Sequence, residues 1–411
     1  MSSTRVSDIQ VKHTPVQLVR YRPTGRITTP VNDGVITPAE EGQPVISLYQ
    51  STSGTKFSAC CRHSLLLSSA DTSRNPFFHQ GCVFVPQHDE LYITSNLLQS
   101  TSSSSLPIVL ISRVKLHRPN VADLGTTGED GGKIEDIVSV EWQKLRPPQA
   151  MTMPCGGTSY GNGMVFCSQG SLTKGSGGLF YMPRGKPPEP LVTGFYGRDF
   201  NSPHDVCLTR DGALWFTDPC RGFEMEFRQK PVLPSRVYRF SPESGDLRVV
   251  ADGLGRPTGI AFSHDEQTAY ITDTGACQQD GVLELSEAAT IYAYDVTMRE
   301  GAPFLSNKSV FAVPISGVPI GIKCDEKGHV YAGCSDGIEI WNSGGVLHAI
   351  IEIPGGVTNF CFGKCGEIFV CAEQRLWRLQ FGDENKTPLE IDRLGWLTHD
   401  ERTTMVRSAH N

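Results

Sequence analysis

The stretch DVCLTRDGALWFTD, residues 205–218, holds two short strands around an Asp-Gly turn. Apolar and β-branched residues alternate with polar ones on both sides of Asp211-Gly212, the pattern of a β-hairpin. Its second half recurs along the chain as DELYITSN (89–96), GMVFCSQG (163–170), QTAYITDT (267–274), GHVYAGCSDG (328–337) and GEIFVCAEQ (366–374). In several copies the first strand is present too, as in GIAFSHDEQTAYITD (259–273), GIKCDEKGHVYAG (321–333) and NFCFGKCGEIFVC (359–371). Third strands follow in SRVYRFSPESGDLRVVADG and ATIYAYDV. A phrase repeated at intervals of ~40–70 residues predicts a six-bladed β-propeller, an all-β ring of four-stranded antiparallel blades around a central funnel.

Composition agrees with this reading. Of 411 residues, 42 are glycine and 27 proline, a turn content suited to short strands. The expected organisation is an N-terminal arm over 1–45 that closes or covers the ring, the propeller over 46–385, and a tail over 386–411. LLQSTSSSSLP (97–107) and GTTGEDGGKIED (125–136) read as polar loops. A net charge of −7 without a basic stripe argues against nucleic acid. No apolar run reaches the length of a membrane span, and the first 21 residues lack the apolar core of a secretory signal. The thirteen cysteines fall mostly within strand phrases and form no zinc-knuckle spacing. A reducing, cytoplasmic compartment is expected. Asp205, Asp218 and Asp273 at hairpin ends read as turn-fastening groups, and Trp215, Trp341 and Trp377 as packing between blades.

From FYGRDFNSPHDVCLTRDGALWFTDPCRGF (195–223) onward the chain resembles the senescence-marker/gluconolactonase/lactonohydrolase propellers, particularly their fungal branch. The likeness runs through 237–276, 317–347 and 353–379, with an earlier match at PFFHQGCVFVPQHDELYITSN (76–96). The resemblance implies a divalent ion, usually calcium, in the funnel and hydrolysis of a lactone against it. The family's ligand positions fall here on Gln80 of His79-Gln80, Cys155 of Pro154-Cys155-Gly156 and His204 of Ser202-Pro203-His204-Asp205. They continue on Thr258 of Arg256-Pro257-Thr258-Gly259 and Ile320 of Val318-Pro319-Ile320-Gly321. Each frame is kept and each ligand differs.

Calcium takes six to eight oxygens, usually with carboxylates among them. Two neutral oxygens, a thiol, an imidazole and a hydrocarbon chain do not supply that, so no calcium and no other cofactor is expected. A softer metal on Cys155 and His204, or a nucleophile–base pair of the two, are alternatives. The emptied funnel predicts a pocket for largely apolar small molecules, acting by positioning. The reading placed first is a metal-independent enzyme of fungal secondary metabolism. It is similar to the pericyclases that join a tropolone-derived quinone methide to a terpene alkene by hetero-Diels–Alder cycloaddition. His204 and Gln80 would then be the catalytic hydrogen-bonding groups. Cys155, Thr258, Ile320, Asn359, Tyr196, Arg198 and Phe223 would bind substrate, with Phe227 beside Phe223 in an apolar lid. The alternatives are a lactone or ester hydrolase and a binding protein without catalysis.

Overall fold

The computed structural model describes residues 5–24, 27–31, 42–49, 61–99, 107–119, 137–146, 150–278, 282–284, 286–364 and 366–381. The loop at 125–136 and the tail at 386–411 lie outside them, as does part of the 97–107 loop.

Each repeated phrase builds the first two strands of an antiparallel blade. Blade 3 is representative. Val206–Leu208 pairs with Leu214–Asp218, which pairs with Arg236–Phe240 and then with Leu247–Ala251. The inner strands of blades 1 to 5 begin at Gln80, Pro154, Val206, Pro257 and Ile322, and that of blade 6 at Asn359. Each packs on the next, and the sixth packs back on the first, so the ring is closed. This is the six-bladed all-β propeller that the repeats predict.

Closure is by strand exchange. Blade 6 takes three strands from the C-terminal side, Asn359–Phe362, Glu367–Ala372 and Arg375–Gln380. Its fourth is Arg62–Ser68, hydrogen-bonded antiparallel to the last of these. Earlier strands lie on outer edges: Arg5–Gln10 on blade 1, Thr14–Pro15 on blade 6, and Val45–Leu48 on blade 5. Covering an edge strand removes a row of unpaired backbone groups that would otherwise template aggregation.

Among the described residues the core forms seven clusters: six lie one between each pair of neighbouring blades, and a small seventh holds Val109, Met153 and Phe227. Trp215 packs between blades 3 and 4, Trp341 between 4 and 5, and Trp377 between 5 and 6, all buried. Two of the hairpin-end acids fasten turns as expected. Asp218 accepts the Asn201 and Ser202 N–H groups, and Asp273 those of Gly255 and Arg256. Asp205 does not. It turns inward toward Gly156, neither oxygen meets a well-aligned donor, and burial pushes its pKa up.

Charged contacts add to the closure between blades 1 and 6. Glu367 is wholly buried, with Arg118 at 2.8 Å and Arg378 at 2.6 Å. Between blades 1 and 2, buried Glu90 accepts from Arg184 and Arg113. Burial alone would push its carboxyl up, but the two guanidiniums hold it down at about 2.

Candidate functional site

The frame residues mark where the inner strands converge. A hydroxyl of one blade reaches the frame carbonyl of the next: Thr94 donates to Cys155 at 3.1 Å, Thr217 to Thr258 at 2.7 Å, and Thr272 to Ile320 at 2.9 Å. The backbones are so close that the following residue is forced to be small. A Cβ on Gly156 would sit 2.5 Å from the His204 carbonyl oxygen, and one on Gly259 2.3 Å from that of Ile320. This contact explains why the frames keep glycine while the side chains before it vary.

A small cleft, with an accessible volume of about 20 Å³, lies at this end of the ring between blades 1 to 3, and Gln80, Cys155 and His204 line it. Its apolar wall is Leu97, Val109, Met225 and Phe227. His79, the residue before the first frame position, also faces the cleft. Its Nδ1 is 2.6 Å from Glu373 Oε1, and Asn96 Nδ2 donates to the other carboxylate oxygen at 3.3 Å. Glu373 is held in a left-handed conformation at φ 54°, and its carbonyl accepts the Phe78 N–H. Burial raises the Glu373 pKa, but His79, Asn96 and Arg221 outweigh it and keep the group an anion. A carboxylate on Nδ1 favours the proton there, so that in the neutral ring Nε2 is the accepting nitrogen.

Arg221 brings the cleft a positive charge. It stands in a single helical turn, Arg221–Glu224, that folds over the cleft after blade 3's second strand. The turn is firmly seated. Ser202 Oγ accepts the Gly222 N–H, Glu224 pairs with Arg256 at 3.0 Å, and the buried Arg228 binds the carbonyls of Asn201 and Ser171.

His204 and Cys155 are tuned differently. Burial, with the positive charge of Arg221 and the nearby His79, lowers His204 to about 3, so its imidazole is neutral near pH 7. Its Nδ1 is buried without a hydrogen-bond partner. Burial, reinforced by Asp205, raises the Cys155 thiol to about 12. Both shifts act against the nucleophile–base pair considered from sequence, which needs an ionisable thiol and a proton-accepting imidazole.

The five frame residues also fail as a calcium cage. Gln80 Oε1 already accepts from Asn359 Nδ2 at 2.8 Å, while Thr258 Oγ1 donates to the Arg256 carbonyl at 3.0 Å and is 2.8 Å from Thr274 Oγ1. None of the five carries a carboxylate to offset the ion's charge, and the guanidinium of Arg221 stands close by.

The remaining candidates lie elsewhere. Thr258, Ile320 and Asn359 sit within the ring of inner strands, where Asn359 occupies blade 6's equivalent of the glycine position and bonds sideways to Gln80. Tyr196 is 84% exposed on the small hairpin Gly194–Asp199, and Arg198 is exposed beside it. Phe223 is half exposed on the helical turn, while Phe227 is buried in the wall of the cleft. His79 was legible only as a neighbour of Gln80. Glu373 is 294 residues away from it, so no local spacing joins them. Asn96 and Arg221 carry no motif signal.

The fold is that of a known family of six-bladed propellers. A sequence model of the SMP-30/gluconolactonase/LRE-like region matches residues 135–373, more than half of the chain, and the protein belongs to that family. Lactonohydrolase oryL of Aspergillus oryzae is 27% identical over 208 residues, 47% of each chain. A gluconolactonase of Zymomonas mobilis is 30% identical over 198 residues, 46% of this chain and 53% of that one. The chain thus aligns with about half the length of these curated relatives. Among solved structures, the gluconolactonase XC5397 of Xanthomonas campestris superposes with a TM-score of 0.59 at 23% identity, covering 82% of this chain and 94% of that one. No helix among the described residues is long and apolar enough to cross a membrane.

Proposed function

We propose that the protein is a metal-independent hydrolase of a lactone or kindred cyclic ester, acting in the cleft lined by His79, Gln80 and Arg221. The observation that carries this reading is the His79–Glu373 pair, with Asn96 steadying the carboxylate. His79 Nε2 takes a proton from water as the oxygen attacks the acyl carbon, and Glu373 stabilises the imidazolium that forms. Arg221 stabilises the oxyanion of the tetrahedral intermediate. The imidazolium then returns its proton to the departing alkoxide, which opens the ring. Gln80 and neutral His204 offer uncharged hydrogen-bonding groups for orientation.

The named relatives, lactonohydrolases and gluconolactonases, favour hydrolysis over the cycloaddition expected from sequence. The cleft itself gives cycloaddition no separate support. The test is a panel of aldonic and aryl-fused lactones assayed by pH-stat with EDTA present throughout. Turnover should persist in chelator and fall by ~10²–10⁴-fold in His79→Gln. Loss of turnover in EDTA, or an unchanged rate in His79→Gln, would overturn the proposal.

A further inference from the structure

A second cluster of ligating groups lies in blade 5, outside the cleft. At the end of strand Val330–Gly333 the chain turns through Cys334, Ser335 and Asp336 into strand Gly337–Trp341. Cys334 Sγ and carboxylate oxygens of Asp336 and Glu339 all lie within 4.8 Å of one another. Cys334 and Glu339 are buried, and Asp336 is half-buried toward solvent.

Two further observations separate this from an ordinary acidic turn. Glu339 Oε1 accepts the Ile315 N–H at 2.8 Å and the Ser316 N–H at 3.4 Å, which fixes the carboxylate. Its Oε2 is buried with no hydrogen-bond partner, on a side chain that is 0% exposed. Asp336 Oδ1 is likewise buried and unpartnered. Moreover, no lysine or arginine among the described residues pairs with either carboxylate. A buried carboxylate beside a half-buried one, without a compensating cation, is costly, and the cost is relieved by sharing a proton or by binding a divalent ion.

We propose that Cys334, Asp336 and Glu339 form a binding site for a zinc-class divalent cation. A thiolate with two carboxylates selects a borderline-soft ion over calcium or magnesium. Three protein ligands leave a fourth tetrahedral position, which the half-exposed side of Asp336 opens to solvent. The Ile315 and Ser316 N–H groups act from behind the ligand, orienting Glu339 so that Oε2 faces the ion. Cys334 gives up its thiol proton to solvent when the ion binds. The site is independent of the His79 reading, since it shares no residue with the cleft.

Cobalt(II) is the probe, because only thiolate ligation gives it a strong near-ultraviolet charge-transfer band. The full-length protein, freed of metal by chelation and dialysis, is titrated with cobalt and then zinc. The band should saturate at one equivalent, be bleached by zinc, and be absent in Cys334→Ser. Asp336→Asn, at the half-exposed position, should keep the wild-type melting temperature and weaken zinc binding at least ~10-fold. Absence of the band in wild type would show that the carboxyls share a proton instead. Persistence of the band in Cys334→Ser would place the metal on another cysteine. Either result overturns the proposal.

Discussion

His79 Nδ1 and Glu373 Oε1 stand 2.6 Å apart across the seam where the first and last blades meet. The seam is also held by one backbone bond, the Phe78 N–H on the Glu373 carbonyl, and by one between side chains, Asn359 Nδ2 on Gln80 Oε1. The groups proposed for catalysis are therefore assembled only when the ring is shut.

Glu373→Gln tests that arrangement at the least steric cost. An amide in place of the carboxylate no longer favours the Nδ1–H tautomer or stabilises an imidazolium. Lactone kcat should fall by ~10²–10⁴-fold with KM little changed. Asn96→Ala, which frees the carboxylate without removing it, should cost less. A Glu373→Gln variant with wild-type kcat would confine the pair to a structural role.

The neutral His204 gives stability a signature in acid. Its folded pKa, about 3, lies below the unfolded value near 6.5, so the unfolded chain binds the proton first. Stability contributed by the buried neutral ring is intact above pH 6.5 and is lost as pH falls toward 3. By pH 5 the loss is about 2 kcal/mol. Urea denaturation across this range should show a shallower decline in His204→Gln than in wild type. Equal slopes would mean that the ring is protonated inside the fold.

Gly259→Ala isolates the close approach of inner strands. The obstacle to its Cβ is a backbone carbonyl, which cannot swing aside as a side chain would. The expected loss is ~1–3 kcal/mol, read from the urea midpoint. Gly253→Ala is the control for crowding: nothing lies within 4 Å there, although its φ of 69° adds some backbone strain.

Glu367→Gln should be the most damaging of the charge changes. It leaves two guanidiniums, one of them fully buried, facing an uncharged amide. A loss of ~3–5 kcal/mol is expected, against less than about 1 kcal/mol for Asp252→Asn in the half-exposed Arg236–Asp252 pair. Similar midpoints for the two variants would contradict the buried network.

The fold was legible because a propeller repeats local information. Each blade is a hairpin phrase such as DVCLTRDGALWFTD, whose alternation and Asp-Gly turn are set by neighbouring residues. The frames were legible for a related reason: the glycines at 156 and 259 report a steric demand of the ring itself. Chemistry was not local in this way. His79 and Glu373 are brought together only by ring closure, and Arg221 reaches the cleft only because Ser202, Arg228 and Arg256 seat its helical turn. The burial that neutralises His204 and keeps Cys155 protonated likewise belongs to no residue type. Sequence determined the blades and their order, because strand pairing within a blade is short-range. Tertiary structure decided which side chains face one another, because that depends on contacts between the two ends of the ring.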